Sequence, residues 1–271
     1  MTGERSPDSL DAALATLKRR YGPKALRRGN AAEAAAVWPT GVPAIDDVLA
    51  PGGLPRGRLT VLAAGTRGGP SGRLTLLQSL AALASRSCEV GYVDLAGTID
   101  PGFLADLGAA LDACVVLDPG ATRWGRGLAM GRSLVRAGLP WLAVALGSEQ
   151  PRTAAWEHAL TALAEAVART GAVCLIAAPI PLAAPLAYAS SLTLGCTAMG
   201  WQRAHGDVTG LRVRLTTAKS KVGTTGAEAT VLLRYPRPYA AAEVVGLPAV
   251  LVPPRPARAD PGLPRVAEMP G

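Results

Sequence analysis

The chain is poor in the side chains from which most active sites are built. It has two histidines, His158 and His205, so a zinc site is not expected. Its four cysteines, Cys88, Cys114, Cys174 and Cys196, form no CxxC pair. Three of them lie in apolar runs that read as strands or strand ends, so reduced, buried thiols are expected rather than disulfides or metal ligands. Aromatic residues make up 4% of the chain, which leaves a core of alanine, leucine and valine. No apolar run approaches the ~18 residues of a membrane span, and the N-terminal stretch is polar. Neither a span nor a signal peptide is expected, and the expected location is the cytoplasm. No G-x-S-x-G elbow accompanies Ser148, Glu149 and His158, so these three do not amount to a hydrolase.

What is present is apolar and basic. Hydrophobic residues at 49% against 18% charged suffice for a real core. The length of 271 residues suits one large domain or one domain with appendages. A net charge of +8 fits an acidic partner, nucleic acid above all, or equally an arginine-rich solvated surface.

The first helix carries its own punctuation. In "SPDSLDAALATLKRRYG", Ser6 can cap, Pro7 suits the first helical position and Gly22 stops the helix. Leu10, Leu14, Leu17 and Tyr21 share one face at helical spacing. That stripe must pack on this chain's core or on another molecule. Lys18, Arg19, Arg20, Lys24, Arg27 and Arg28 crowd the helix end and the segment after it. They read either as solvated charges balancing the helix dipole or as contacts for DNA or an acidic partner.

Beyond "NAAEAAAVWP", read as a loop or linker, strands and helices alternate. "RLTVLAA", "EVGYVDL", "CVVL", "WLAVAL" and "AVCLIAA" are continuous apolar runs, separated by helical patterns such as "GRLTLLQSLAALASR" and "TAAWEHALTALAEAVARTG". Such runs predict an α/β fold, with a mainly parallel sheet buried by helices on both faces. From Ser190 onward the helices stop, and three strand-like segments predict an antiparallel extension. The expected domains are a helical arm and linker at 1–37, a core at 38–240 and a Pro-rich, disordered tail at 241–271. The segment "PIPLAAPLAYAS" reads as a short, proline-stiffened loop.

One turn stands out. "AAGTRGGPSGRLT" follows a strand and opens a helix, where a phosphate-binding loop would read G-x-x-x-x-G-K-[ST]. Gly68 and Gly72 supply glycines, but Arg73 stands in the lysine position and Leu74 in the hydroxyl position. Gly65 and Gly72 are also too far apart for the motif. Asp94 and Asp100 could pass for an acid/base pair, yet Asp100 before Pro101 reads as a helix cap. Arg132 and Arg136, one helical turn apart, read as a solvated face.

"TGVPAIDDVLAPGGLPRGRLTVLAAG", "YVDLAGTIDP" and "LAYASSLTLG…TGLRVRLTTAKSK" together resemble RecA recombinases, as does the N-terminal "YGPKALRRG". The resemblance runs over residues 10–235. It implies a RecA-like core preceded by an N-terminal helix arm. It also places the family's catalytic carboxylate at Ala96, its Walker B carboxylate at Ala145 and its γ-phosphate-sensing polar pair at Ala178 and Pro179. With Arg73 and Leu74 these are the groups that ATP hydrolysis needs, so the resemblance implies a nucleotide-binding fold without the chemistry, no cofactor and no metal. Loops that bind DNA in the family are short here. Lys219 and Lys221 stand where the family reaches a neighbour's nucleotide, and read as solvated or as contacts for an acidic partner.

A core of this kind resembles ImuA-type (RecA/SulA-like) accessory factors of DNA-damage-induced mutagenesis. That resemblance implies contacts with RecA and/or an ImuB-type inactive Y-family polymerase homologue, and indirectly with a DnaE2-type polymerase. DNA contact would be weak and nonspecific, and no membrane is involved. Two other readings stay open: a divergent RecA or KaiC-like ATPase, and a basic DNA-binding recombination regulator.

Overall fold

The computed structural model describes residues 7–22, 36–49, 52–65, 70–149, 155–234 and 243–247, without the side chains at 7–10, 155, 181–185 and 243–247. Helix α1 (Pro7–Tyr21) comes first, followed by β1 (Val37–Trp38), the single turn α2 (Pro43–Asp46) and β2 (Leu54–Pro55). Then come β3 (Arg58–Ala64), α3 (Arg73–Ser85), β4 (Val90–Leu95), α4 (Pro101–Asp106) and β5 (Cys114–Leu117). The alternation continues through α5 (Trp124–Arg136), β6 (Trp141–Leu146), α6 (Ala155–Thr170), β7 (Val173–Ala178) and α7 (Ile180–Ala189). Four strands close the described chain: β8 (Leu192–Ala204), β9 (Asp207–Ser220), β10 (Glu228–Arg234) and β11 (Glu243–Leu247).

Nine of these strands form one sheet in the order β11-β10-β9-β8-β3-β7-β6-β4-β5. From β8 to β5 neighbouring strands run parallel; β9, β10 and β11 extend the sheet antiparallel. The expected α/β architecture is therefore present. Strands β4, β6 and β7 are buried along their whole length, which is why their sequences read as unbroken apolar runs. Alternate residues of β3 serve two cores. Leu62 packs with α2, α3 and the inner faces of β9 and β10. Leu59, Val61 and Ala63 pack with α5, α6 and α7, where Trp124 and Trp156 meet edge to face at 5.6 Å. Among the described residues no helix is long and apolar enough to cross a membrane.

Four sequence expectations need correction. The segment read as a short loop is helix α7. Three prolines suggested a stiff turn, but Pro179 stands at the cap and Pro181 falls in the first helical turn, where a missing N–H leaves no bond unmade. The tail assigned to 241–271 begins too early, because Glu243–Leu247 pairs antiparallel with β10 from Thr230↔Leu247 to Arg234↔Glu243. Its two adjacent valines favour a strand despite the Pro-rich surroundings; residues 248–271 lie outside the described chain. The boundary at 37/38 cuts the short ladder Val37↔Pro55, Trp38↔Leu54. The sequence "PGFLADLGAAL" reads as one helix, but the helix stops at Asp106, and the Arg86 side chain donates to the carbonyls of Leu107 and Gly108 just beyond it.

Candidate functional site

Parallel α/β sheets bind ligands at the carboxyl ends of their strands, and the residues singled out in the sequence gather there. β3 ends at Ala64, and after the loop α3 starts at Arg73. β7 lies between β3 and β6, and the register sets Ala63 beside Ala178, Ala177 beside Ala145, and Ala145 beside Asp94. Ala145 is buried in the apolar cluster that α3 covers, and Leu74 and Ala96 pack against the same cluster. Gly72, Arg73, Leu74, Ala96 and Ala145 thus belong to one edge of the sheet. Gly68 lies outside the described residues.

The loop is fastened to the strands beside it. Gly65 N–H donates to the Cys196 carbonyl at 2.7 Å, and a Cβ at Gly65 would fall 2.1 Å from Thr197 Oγ1. Gly72, the residue before α3, has φ +72°. A Cβ there would lie 2.7 Å from Val213 Cγ2 and 2.8 Å from Leu233 Cδ1. Only glycine meets both demands. The start of α3 is consequently walled by apolar side chains of β9 and β10.

Arg73 is half-buried. Its Nη1 reaches Ser71 Oγ at 3.4 Å, its backbone N lies 3.5 Å from the same oxygen, and its Nε is buried with no hydrogen-bond partner. Burial lowers its pKa, and proximity to Cys196 opposes that shift. The Cys196 thiol, fully buried, is pushed up to about 12, with Arg73 acting in the other direction. No carboxylate forms an ion pair with Arg73 among the described residues, and its hydrogen-bonding neighbour is Ser71.

Asp94 is the one buried carboxylate at this edge, at 4% exposure. Oδ1 accepts from Ala96 N at 3.0 Å, and Oδ2 from Thr98 N and Ile99 N at 2.8 Å each. The side chain is consumed in pinning the loop after β4. Asp100 caps α4, accepting from Gly102 N at 2.9 Å. Neither is placed as a catalytic acid or base. Among the described residues, the side chains of Leu74, Ala96 and Ala145 offer no oxygen to a magnesium nucleotide, and Asp94 is committed to three amides.

The remaining candidates are spread out. Leu14 is half-buried, whereas Leu17 and Tyr21 are 40% and 62% exposed. Leu10 belongs to α1, but its side chain is outside the description. Lys18, Arg19 and Arg20 are exposed, with Arg20 over the Tyr21 ring at 5.6 Å; Lys24, Arg27 and Arg28 lie outside the described residues. Arg136 is exposed, as a solvated face requires, but Arg132 is half-buried. Lys219 is not the free contact expected. Its Nζ donates to the carbonyls of Ala187, Tyr188 and Ser190, the last at 3.0 Å, and so closes the end of α7. Burial and then Lys221 lower its pKa. Lys221 stays exposed. Ser71, Thr197 and Cys196 were missed in the sequence; their role depends on β8 lying beside β3, for which no local motif exists.

Comparison with known proteins agrees with this geometry. A family model described as the RecA N-terminal domain matches residues 8–144, a little over half of the chain. "Protein RecA" of Streptomyces ambofaciens is 36% identical over 124 residues, covering 44% of this chain and 32% of that protein. The same-named protein of Tropheryma whipplei (strain Twist) is 37% identical over 116 residues, 41% of this chain and 25% of its own. That of Clavibacter michiganensis subsp. michiganensis (strain NCPPB 382) is 36% identical over 135 residues, 48% and 35% respectively. The chain thus matches about a third or less of the length of these relatives.

Proposed function

The chain belongs to the RecA N-terminal domain family, and from that premise we propose that it is a non-catalytic accessory protein of DNA-damage-induced mutagenesis, of the ImuA type. It works by contacts with RecA and/or an ImuB-type inactive polymerase homologue, and through them with a DnaE2-type polymerase. The carrying observation is the joint replacement at one sheet edge: Arg73 and Leu74 at the loop, Ala96 and Ala145 at the strand ends. Side chains for metal ligation and water activation are then missing together, although Arg73 keeps a positive charge that could touch a phosphate. Purified protein is expected to turn over ATP at background rate. Turnover above background that Arg73→Ala abolishes would overturn the reading in favour of a divergent ATPase. The unpartnered Nε of Arg73 is the one feature favouring that rival, and a nucleotide titration with and without Mg²⁺ separates the two.

The partner-binding arm is α1. Its apolar face at Leu17 and Tyr21 is exposed, and burying such side chains on a partner is worth roughly 1.5–3 kcal/mol each before ordering costs. Capture of RecA on immobilised protein is the test. Leu14→Asp and Leu17→Asp should abolish it while the thermal melt stays unchanged; unchanged capture assigns the stripe another role. DNA binding through Lys18, Arg19 and Arg20 would be weak and would fall steeply with salt.

A further inference from the structure

Helix α5 concentrates arginines that the fold does not use. Between Asp118 and Glu149 the chain has four arginines, Arg123, Arg126, Arg132 and Arg136, and no acid. All of them lie on α5 or on the residue before it. At about 3.6 residues per turn, Trp124, Gly127, Leu128, Gly131 and Val135 fall on one side of the helix, and these are its buried residues. Arg132, Arg136, Ala129, Ser133 and Arg126 fall in a sector of roughly 120° on the other side. Arg123, Arg126, Ser133 and Arg136 are exposed, and Ala129 and Arg132 are half-buried.

These arginines are also unengaged. None of them forms an ion pair with a carboxylate among the described residues, and the buried Nε of Arg132 has no hydrogen-bond partner. Arginines elsewhere are occupied. Arg56 donates to the Gly171 carbonyl, Arg86 to those of Leu107 and Gly108, and Arg203 to that of Gly206, while Arg214 faces Glu228. The acids around α5 do not cancel its charge. Asp118 accepts from Gly120 N at 3.0 Å. Helix α6, which meets α5 through Trp156 and Trp124, exposes Glu157 and Glu165 but also Arg169. Positive charge stays in excess when Asp118, Glu157 and Glu165 are set against Arg169 and the arginines of α5.

We propose that the outer face of α5 is a docking surface for the phosphate backbone of duplex DNA. The ridge offers charge without an anchor. Its exposed residues are Arg126, Ser133 and Arg136, with no large apolar side chain of the kind that holds a protein partner. Nor does α5 present an aromatic ring on which the bases of a single strand could stack, since Trp124 is 0% exposed. Between the arginines stand the small residues Gly125, Ala129 and Ser133, so a sugar-phosphate chain can come close to the helix. Arg126 and Arg136 lie about 15 Å apart along the axis, and Arg132 between them gives its unmet Nε–H to a phosphate oxygen. Such contacts carry no sequence information. The surface uses none of the residues at the loop after β3 or on α1, so it stands apart from the mutagenesis reading.

The test is fluorescence anisotropy of a short, fluorescein-labelled DNA duplex of mixed sequence with the full chain, over a series of salt concentrations. Saturable binding is expected, with a slope of log affinity against log salt of about −3. Arg126→Ala combined with Arg136→Ala should weaken binding about tenfold or more and make the slope shallower by about 2. Ser133→Arg should act in the opposite sense and tighten binding about threefold, a gain that misfolding cannot produce. Absence of saturable binding, a slope unchanged in the double variant, or weaker binding by Ser133→Arg would overturn the proposal. So would loss of binding on replacing Lys18, Arg19 and Arg20 by Ala with the α5 double variant unaffected. Competition by poly-L-glutamate as effective as by duplex of equal charge would overturn it and assign the face to an acidic protein. Tighter binding of oligothymidylate than of duplex would overturn it in favour of single strands.

Discussion

The two ends of the parallel sheet have opposite characters. At the carboxyl ends of the strands, where an α/β fold ordinarily presents its chemistry, the backbone is tied down at several points. Gly72 abuts Val213 and Leu233, Gly65 is bonded to Cys196, and Asp94 holds three amides. At the amino ends an opening remains beside Trp38 and Trp141, with Arg56 over the Trp38 ring. The difference teaches that a glycine at a strand-to-helix turn can be required by packing alone, as Gly72 is by Val213 and Leu233. The comparison can be broken by substitutions at either end.

The largest effect is expected at Asp94. Asp94→Ala removes one carboxylate and leaves three amide donors without their acceptor, which should cost about 3–5 kcal/mol. Denaturant melts check it. A loss under about 1 kcal/mol would mean that water replaces the carboxylate and that the edge is more open than its contacts suggest. Gly72→Val comes next, at about 2–4 kcal/mol. The new side chain must enter a left-handed conformation and displace Val213 or Leu233. A variant of wild-type stability would show the loop free to move away from β9 and β10.

Alkaline pH probes both ends, because Cys196 lies beside Ala64 at the carboxyl end and Cys174 beside Leu59 at the amino end. Burial raises Cys196 and Cys174 from 9.0 to about 12, and raises Tyr92 as well. Each group is neutral when folded but ionises in the unfolded chain at its ordinary, lower pKa. The stability they contribute is fully present below about pH 9 and is lost as pH climbs toward 12, at up to about 1.4 kcal/mol per pH unit for each group. Urea melts at pH 8 and pH 10 should show a decline that Cys174→Ala with Cys196→Ala makes shallower. A slope unaltered by the double substitution would place the titration elsewhere.

Much of this was legible in the sequence, for identifiable reasons. Strands buried on both faces must be continuous apolar runs, so β3, β4, β6 and β7 announced themselves along with the parallel fold. Gly72 and Arg73 followed from the glycine pattern of a strand-to-helix turn, whereas Ala96 and Ala145 were singled out only by the resemblance to RecA recombinases. Helix α7 was obscured by its prolines, and β11 by the composition around it. Arg73 was legible as a substitution but not as a half-buried side chain near Cys196, since β8 lies more than a hundred residues along the chain. The opening gave no signal at all: Trp38 and Trp141 meet only through the pairing of β6 and the position of α3.

A smaller effect is expected at Lys219. Lys219→Met keeps most of the apolar stem but removes three donors from the carbonyl end of α7, for a loss of about 1–2 kcal/mol. Hydrogen exchange should speed up in α7 before it does in β9. If the loss is negligible and the exchange unchanged, the lysine is available for a partner after all.

The smallest effect belongs to the amino-terminal end. Ser87 is exposed just after α3, and its hydroxyl donates only to the Ala84 carbonyl at 3.1 Å, one helical turn back. Ser87→Trp should therefore change stability by no more than about 0.5 kcal/mol, although it introduces the largest natural side chain. The indole can lie against Leu83 and Ala84 in the existing opening rather than displace core atoms. Quenching by acrylamide should show the new tryptophan less accessible than a free surface residue, because the cavity receives it. Destabilisation beyond about 2 kcal/mol would mean that the opening is too tight for a ring, and the contrast between a filled end and a receptive end would fail where it was drawn.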